Sequence, residues 1–449
     1  MIVQKLVVLG GGESGVGAAI LGMAKGFEVF LSDRDLLLDK YRKVLLDYKI
    51  RFEEGGHTVS EILNADLVVK SPGIPDKVPL IISLKEKGIS IISEIEFASR
   101  YTTAKLIAIT GSNGKTTTTL LTYHILQRAG LNVGLAGNIG DSFAWQVAEK
   151  QFDYYVLEIS SFQLDNIKSF HPAVAVILNI TPDHLDRYEY NFQNYTDSKF
   201  AVIRNQTEAD DFIFFADSEV IEAEIGKRNI RPNCWGISLI RELIAGAYMQ
   251  GGKLISKYGK HIYERDFAEL PIKGPHNAIN AMASILVSQS VGVSDADIRE
   301  GLISFTNAPH RLEKVATIHE VTYINDSKAT NVDSVYYALG SFEQPVILIA
   351  GGVDKGNDYS QIEALVREKV KGLIILTPDA EKLRSYFKDI VKHIYVTQDM
   401  EDAVRQGRVW AEPGDVVLLS PACASFDLFK NYQDRGDKFK AAVRNLGGE

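Results

Sequence analysis

The sequence predicts an α/β protein of three domains built on mostly parallel sheets, and three observations support that expectation. The first is length, since 449 residues at roughly 150 residues per domain correspond to about three domains, each able to bury its own core. The second is alternation: short β-rich runs are separated by helical stretches, the pattern of parallel strands covered by helices. The third is a restart, because a strand runs directly into glycine near Gly10, Gly111 and Gly351. Boundaries near residues 98 and 307 then divide the chain into segments 1–98, 99–307 and 308–449.

Composition narrows the function. Apolar residues are 45% and charged residues 24%, an ordinary globular mixture. The 49 basic and 58 acidic side chains give a net charge of -9, which disfavours a broad polyanion-binding face, so no nucleic-acid partner is expected. Cys234 and Cys423 are too few for a disulfide framework and lack zinc-ligand spacing. No signal peptide and no apolar run of about 18 residues is evident. A cytoplasmic enzyme without a membrane span is the expectation.

In chain order, a strand at 6–9 leads into Gly10-Gly11-Gly12-Glu13-Ser14-Gly15, which has G-x-G-x-x-G spacing, and Asp33 follows roughly where a ribose-binding acid would lie. Alone, that reads as a dinucleotide site. A second strand is expected at 67–69. In the middle segment, strands are expected at 106–110, 154–159 and 174–178, the first running into Gly111 and the second closed by Glu158. The stretch 245–266 departs from the alternation, and Gln250-Gly251-Gly252 looks like a hairpin turn, so a small antiparallel attachment is expected there. Strands at 346–350, 373–376 and 416–419 complete the last segment. Open α/β sheets hold ligands beyond the carboxyl ends of their strands.

The strongest local signal is Gly111-Ser112-Asn113-Gly114-Lys115-Thr116, a tight turn after a strand, opening a helix that runs to about residue 129 with Gly130 as its cap. Glycines admit backbone N–H groups to phosphate oxygens, the helix N-terminus adds positive potential, Lys115 reaches the terminal phosphates and the Thr116 hydroxyl can ligate Mg²⁺. Ile109 stands where the general motif has a further glycine. Thr116, Thr117, Thr118 and Thr119 are β-branched and poor helix formers, which marks either a functional turn or hydroxyls satisfying free N–H groups. Glu158 and His184 follow strand ends, where a carboxylate suits Mg²⁺; a capping glutamate and a satisfied loop histidine are the alternatives. Lys199 lies in an expected helix at 191–204 and, on side-chain physics alone, is a solvated lysine.

Several separated motifs carry a family likeness. Thr110 to Thr116, His184-Leu185-Asp186-Arg187, Gly274-Pro275-His276-Asn277, His310-Arg311-Leu312-Glu313 and Asn325-Asp326-Ser327-Lys328-Ala329-Thr330-Asn331 together resemble the ATP-dependent Mur ligases. The likeness spans nearly the whole chain in order, weakest at 205–270. The ending Ser420-Pro421-Ala422-Cys423-Ala424-Ser425-Phe426-Asp427, with Asn431 and Arg435-Gly436, is similar to the branch that adds D-glutamate. The resemblance implies an N-terminal Rossmann-like domain for a UDP sugar, a central P-loop ATPase and a C-terminal Rossmann-like domain that closes over the site. It implies ATP and Mg²⁺ as cofactors, UDP-N-acetylmuramoyl-L-alanine and D-glutamate as substrates, an acyl-phosphate intermediate and a place in peptidoglycan precursor synthesis. A monomer is expected.

Residue by residue, the resemblance assigns Gly111, Ser112, Asn113, Gly114, Lys115, Thr116 and Thr117 to ATP, with Asn277 and Asn280 near adenine and His310, Arg311 and Asp326 reaching ATP from the last domain. Asn277 also reads as a helix cap. Glu158 and His184 would hold metal or the acceptor carboxylate, and Lys199 falls where the family carries a carbamylated lysine, a further metal ligand. Ser14, Asp33, Arg34, Ser71 and Gly73 would face diphosphate or uracil, with Asn138 and Gln163 on the sugar or its lactyl-alanine arm. Lys328, Thr330, Lys355, Ser425 and Phe426 would bind D-glutamate, although Lys355 also reads as a solvated turn residue. Rival classes are another Mur ligase with a different amino acid, an NAD-linked oxidoreductase with an added P-loop module, and an ATP-binding switch that makes no bond.

Overall fold

The structure is a computed structural model that describes residues 3–354 and 356–446; Lys355 lies outside the described residues. Its strands form three sheets in chain order. The first holds β1 (Lys5–Leu9), β2 (Glu28–Ser32), β3 (Arg51–Glu53), β4 (Leu67–Lys70) and β5 (Ser90–Ile92), all parallel, ordered β3-β2-β1-β4-β5. The second holds β6 (Lys105–Thr110), β7 (Val133–Gly137), β8 (Tyr154–Glu158), β9 (Val174–Ile177), β10 (Asp211–Phe215), β11 (Asn233–Ser238), β12 (Gly246–Gln250), β13 (Lys253–Tyr258) and β14 (His261–Asp266). Its order is β14-β13-β12-β11-β10-β9-β6-β8-β7. The third holds β15 (Glu313–Ile318), β16 (Val321–Asn325), β17 (Val346–Ala350), β18 (Val370–Leu376), β19 (His393–Thr397) and β20 (Val416–Leu419), ordered β15-β16-β20-β17-β18-β19.

The α/β class is as expected. Among the described strands, β12-β13-β14, the first pair turned at Gly251-Gly252, and β15 on β16 pair antiparallel. Residues 106–109 of β6 and the whole of β17 read as continuous Val, Ile, Leu and Ala because helices cover both faces of a parallel sheet; β17 is buried along its whole length. Among the described residues no helix is long and apolar enough to cross a membrane.

By backbone contacts the chain forms two compact units, one comprising the first two sheets to Glu269 with Ile279–Phe305, the other Leu270–Ala278 with the chain from Thr306 onward. Within the first unit, the short helix Glu94–Ser99 joins the two sheets through two buried carboxylates. Glu94 accepts from Ser142 Oγ at 2.7 Å and the Ala144 N–H at 2.6 Å. Glu96 accepts from the N–H groups of Lys168, Ser169 and Phe170 at 2.9, 2.9 and 2.7 Å and from Ser169 Oγ at 2.6 Å. Buried carboxylates require such donors.

In the first sheet the order reverses between β1 and β4, so the crevice opens beside Gly10 and Ser71. In the second, β6 lies between β9 and β8, which gathers Gly111, Asn179 and Glu158 at neighbouring strand ends. In the third, β16, β20 and β17 are adjacent and end at Asn325, Leu419 and Ala350, immediately before Asp326, Ser420 and Gly351.

Candidate active site

The turn after β6 is stitched to the turn after β9. The Ser112 N–H donates to the Asn179 carbonyl at 3.0 Å, the Asn113 N–H to Asn179 Oδ1 at 2.8 Å, and Asn179 Nδ2 returns a bond to the Asn113 carbonyl at 3.1 Å. Ser112 Oγ donates to the Thr181 carbonyl at 2.8 Å and lies 3.0 Å from Tyr195 OH. Gly114 caps helix Lys115–Arg128 with φ of 82°, a left-handed conformation that favours glycine. A Cβ there would come within 2.6 Å of Asn280 Oδ1. The threonine run has a packing role as well: Thr118 Oγ1 donates to Asn280 Oδ1 and Thr122 Oγ1 to Ser284 Oγ, both at 3.0 Å. One turn apart, these hydroxyls pair the phosphate-loop helix with helix Pro275–Ser290.

Lys115 Nζ donates to the carbonyls of Gly111 and Ser112, each at 2.8 Å. Lys199 Nζ reaches the same Gly111 carbonyl at 2.8 Å and lies 4.6 Å from the Tyr195 ring centroid. The solvated-lysine expectation is overturned, because Lys199 is 2% exposed. Its helix, Phe192–Phe200, starts at the Asn191 cap and continues as a tighter turn, Ala201–Ile203. Burial, then the nearby Lys115 charge, hold the Lys199 amine well below the usual lysine range.

Glu158, the last residue of β8, is in register with Ile109 of β6 and Gly137 of β7. Asn138 Nδ2 donates to Glu158 Oε1 at 2.7 Å, while Glu158 Oε2 is buried and has no hydrogen-bond partner among the described residues. An anionic oxygen left without a donor suits a hard cation such as Mg²⁺. No cluster of three or more His, Cys, Asp or Glu able to hold a metal occurs among the described residues, so such an ion would need other oxygens, including phosphate, in its shell. His184 is exposed in a left-handed turn at φ of 51°, its ring edge-on to Phe162 at 5.2 Å and 3.6 Å from Asp183.

At the first sheet, Asp33 Oδ2 accepts from the Gly11 N–H at 2.6 Å and Oδ1 from the Asp35 N–H at 2.9 Å, which joins the glycine loop to the turn after β2. A Cβ on Gly15 would sit 1.8 Å from the Gly10 carbonyl, so this glycine permits close packing of helix on strand. Ser71 Oγ lies 3.5 Å from the Gly10 carbonyl. Ser14 is half-buried, Gly73 exposed, and Arg34 exposed and paired with Asp35. Gln163 Oε1 accepts from the Ser160 N–H at 2.9 Å in a capping box.

The second unit gathers its own set. The Leu312 N–H donates to Asp326 Oδ1 at 3.2 Å, Ser420 Oγ to Asp326 Oδ2 at 2.9 Å, and the Lys328 N–H to the His310 carbonyl at 3.1 Å. Burial pushes the Asp326 carboxyl up to about 7, against Ser420, Leu312, Arg311 and Arg435, which lower it. His310 is buried with Nδ1 3.0 Å from Asn325 Nδ2. Lys328 Nζ lies 3.9 Å from the Tyr432 ring centroid, Ser425 is buried, and Phe426 is 72% exposed. The Thr330 N–H donates to the Lys328 carbonyl at 2.9 Å. Asn277 lies in the first turn of Pro275–Ser290, and its Nδ2 donates back to the Lys273 carbonyl at 2.8 Å.

Sequence reasoning passed over Asn179, Tyr195 and Tyr432. Asn179 was accessible in principle, since it follows a strand end beside the phosphate loop.

Three family models match consecutive segments: a Mur ligase MurD-like N-terminal domain at residues 4–93, a Mur ligase middle domain at 109–288 and a Mur ligase glutamate ligase domain at 310–423. A UDP-N-acetylmuramoylalanine–D-glutamate ligase of Christiangramia forsetii is 51% identical over 443 residues, 99% of this chain and 100% of that protein. The chain belongs to the Mur ligase family. The same-named ligase of Bacteroides thetaiotaomicron is 50% identical over 445 residues, again 99% of this chain and 100% of that protein. Among solved structures, MurF ligase of Thermotoga maritima in complex with ADP has a TM-score of 0.62, covering 93% of this chain and 95% of that one at 16% identity. UDP-N-acetylmuramate-alanine ligase MurC of the same organism has 0.61, covering 99% and 100% at 18% identity. These two likenesses concern the Mur ligase fold. Family membership leaves the dinucleotide reading of Gly10 to Gly15 without support.

Proposed function

We propose that the chain forms an amide between D-glutamate and the terminal carboxylate of UDP-N-acetylmuramoyl-L-alanine, with conversion of ATP to ADP and phosphate. The observation that carries this reading is the convergence of Lys115 and Lys199 on the Gly111 carbonyl, with the unsatisfied oxygen of Glu158 on the adjacent strand end. The full-length likeness to D-glutamate ligases supports the choice of substrates.

A carboxylate is a poor electrophile, so its oxygen must first become part of a leaving group. The acceptor carboxylate oxygen attacks the γ-phosphorus of ATP, the bond to the β–γ bridging oxygen breaks, and ADP leaves. The D-glutamate amine then attacks the acyl carbon, loses a proton, and expels inorganic phosphate. Residues 111–117 cradle the phosphates, and Lys115 leaves its loop carbonyls for the terminal phosphoryl group, where positive charge stabilises the charge that develops. Asn277 and Asn280 lie near adenine, and His310, Arg311 and Asp326 serve the nucleotide. The Lys199 amine, which burial makes easier to deprotonate, takes up carbon dioxide and becomes a carbamate. Mg²⁺ would be held by Thr116, Glu158, His184 and that carbamate, and would neutralise charge on the transferred phosphoryl group. Ser14, Asp33, Arg34, Ser71, Gly73, Asn138 and Gln163 hold the UDP sugar, while Lys328, Thr330, Lys355, Ser425 and Phe426 hold D-glutamate.

The test is phosphate release from ATP with UDP-N-acetylmuramoyl-L-alanine and one amino acid at a time. Stimulation by D-glutamate alone, with ¹⁸O passing from the labelled acceptor carboxylate into phosphate, is expected. Stimulation by L-alanine or a diamino acid instead would move the chain to another branch of the family.

A further inference from the structure

Arg187 belongs to the His184-Leu185-Asp186-Arg187 run, yet none of the roles above uses it. It closes the short turn Leu185–Arg187 that follows His184. Its guanidinium reaches out of the second sheet's domain: Nη1 donates to the Gly73 carbonyl and Nη2 to the Pro72 carbonyl, both at 3.1 Å. Those carbonyls lie just beyond β4, next to Ser71, which itself rests on Gly10. On its other side the guanidinium lies 4.4 Å from the centroid of the Phe162 ring. Phe162 meets the His184 ring edge-on at 5.2 Å and stacks on Tyr188 at 6.0 Å. One side chain therefore binds the loop after β4 with a two-pronged fork and packs on the aromatic group that supports His184. A planar guanidinium can do both at once; a lysine ammonium cannot.

We propose that Arg187 is a positioning residue that sets the separation between the two ends of the acceptor's binding track, the diphosphate end at Ser71 and Gly73 and the carboxylate end at His184. This rests on the acceptor assignment made above. The acceptor is long and is held at both ends, so an error in that separation misplaces its carboxylate against the phosphoryl donor, where displacements of the order of 1 Å are costly. The nucleotide loop makes none of these contacts, so ATP binding is independent of the fork.

The experiment uses the full chain with Arg187→Ala, Arg187→Lys and Phe162→Leu. Wild-type phosphate release dependent on acceptor and D-glutamate is measured first; its absence would overturn the functional reading on which the role of Arg187 rests. In Arg187→Ala the KM for the acceptor is expected to rise about tenfold, while calorimetric Kd values for UDP alone and for a non-hydrolysable ATP analogue stay within about twofold, since neither ligand spans both ends. Arg187→Lys restores little of the loss, and Phe162→Leu gives a smaller change of the same sign. An unchanged acceptor KM in Arg187→Ala overturns the proposal. Equal weakening of UDP and whole acceptor overturns it too, because Arg187 would then only build the diphosphate loop. Should Arg187→Ala not fold, the same comparison in Arg187→Lys decides.

Discussion

Lys115 and Lys199 donate to one carbonyl oxygen, that of Gly111, each at 2.8 Å. Two ammonium groups that close repel by on the order of a few kcal/mol at an effective dielectric near 20. The half-buried Lys115 keeps access to solvent, whereas Lys199 is sealed and gives up its proton more readily. The pair thus sets a solvent-accessible ammonium beside an amine that burial makes easier to deprotonate.

Lys199→Ala is accordingly expected to lower kcat/KM by about 100-fold or more, of the size seen when a group that supports transition-state charge is lost. Wild-type turnover should rise with bicarbonate after exhaustive degassing, and the variant should not respond. Mass spectrometry of the intact chain at high bicarbonate checks the modification directly.

Glu158→Gln replaces a carboxylate oxygen with an amide at a site where Oε2 has no donor among the described residues. Calorimetric Mn²⁺ binding in the presence of a non-hydrolysable ATP analogue should weaken by about tenfold or more, the scale on which metal sites respond to altered support. Asn138→Ala, which frees Oε1 from its 2.7 Å bond, should weaken it less. Unaltered Mn²⁺ affinity in Glu158→Gln would falsify the metal assignment.

Gly114→Ala meets two obstacles, a φ of 82° and Asn280 Oδ1 at 2.6 Å from the new methyl carbon. A stability loss of about 1–2 kcal/mol is expected in urea titrations. ADP affinity should fall as well, because the loop N–H groups lose their aim.

Glu94 gives a pH-dependent outcome. Burial pushes its carboxyl from 4.5 up to about 7, opposed by Ala144 and Ser142 and reinforced by Glu13. The folded chain therefore binds this proton more tightly than the unfolded chain, so stability from this group falls as pH rises from about 4.5 to about 7 and is flat above. Glu94→Gln keeps an oxygen acceptor for Ser142 and Ala144 and should remove that slope. Thermal unfolding of both proteins across the window reads the difference, and parallel curves would refute it.

The phosphate loop was legible because glycine, lysine and threonine directly after a β-branched strand have few other uses. The strand end at Glu158 followed from the same alternation, whereas Asn179, at the end of the next strand in the sheet, was passed over. Lys199 was not legible from propensity, but periodicity held a clue: Phe192, Tyr195, Thr196, Lys199, Phe200 and Ile203 share one helical face, and five of those six are not charged. A lysine in that stripe is buried and requires a partner. Its acceptor is a backbone carbonyl 88 residues away, a relation set by sheet topology that no local pattern contains. The same holds for Tyr432, whose ring lies against the Lys328 ammonium, while the neighbouring motif residue Phe426 faces solvent.

The two carboxylates of helix Glu94–Ser99 also constrain how this stretch can change over generations. Glu94 and Glu96 are two positions apart, about 200° around the axis, which lets one helix grip the start of Phe143–Glu149 and the 168–170 loop together. Adding or deleting one residue between them would swing one carboxylate by about 100° and strand it without donors. Descendants of this chain can exchange side chains around the joint, but length changes there should be purged, while the flanking surface loops remain free to grow or shrink.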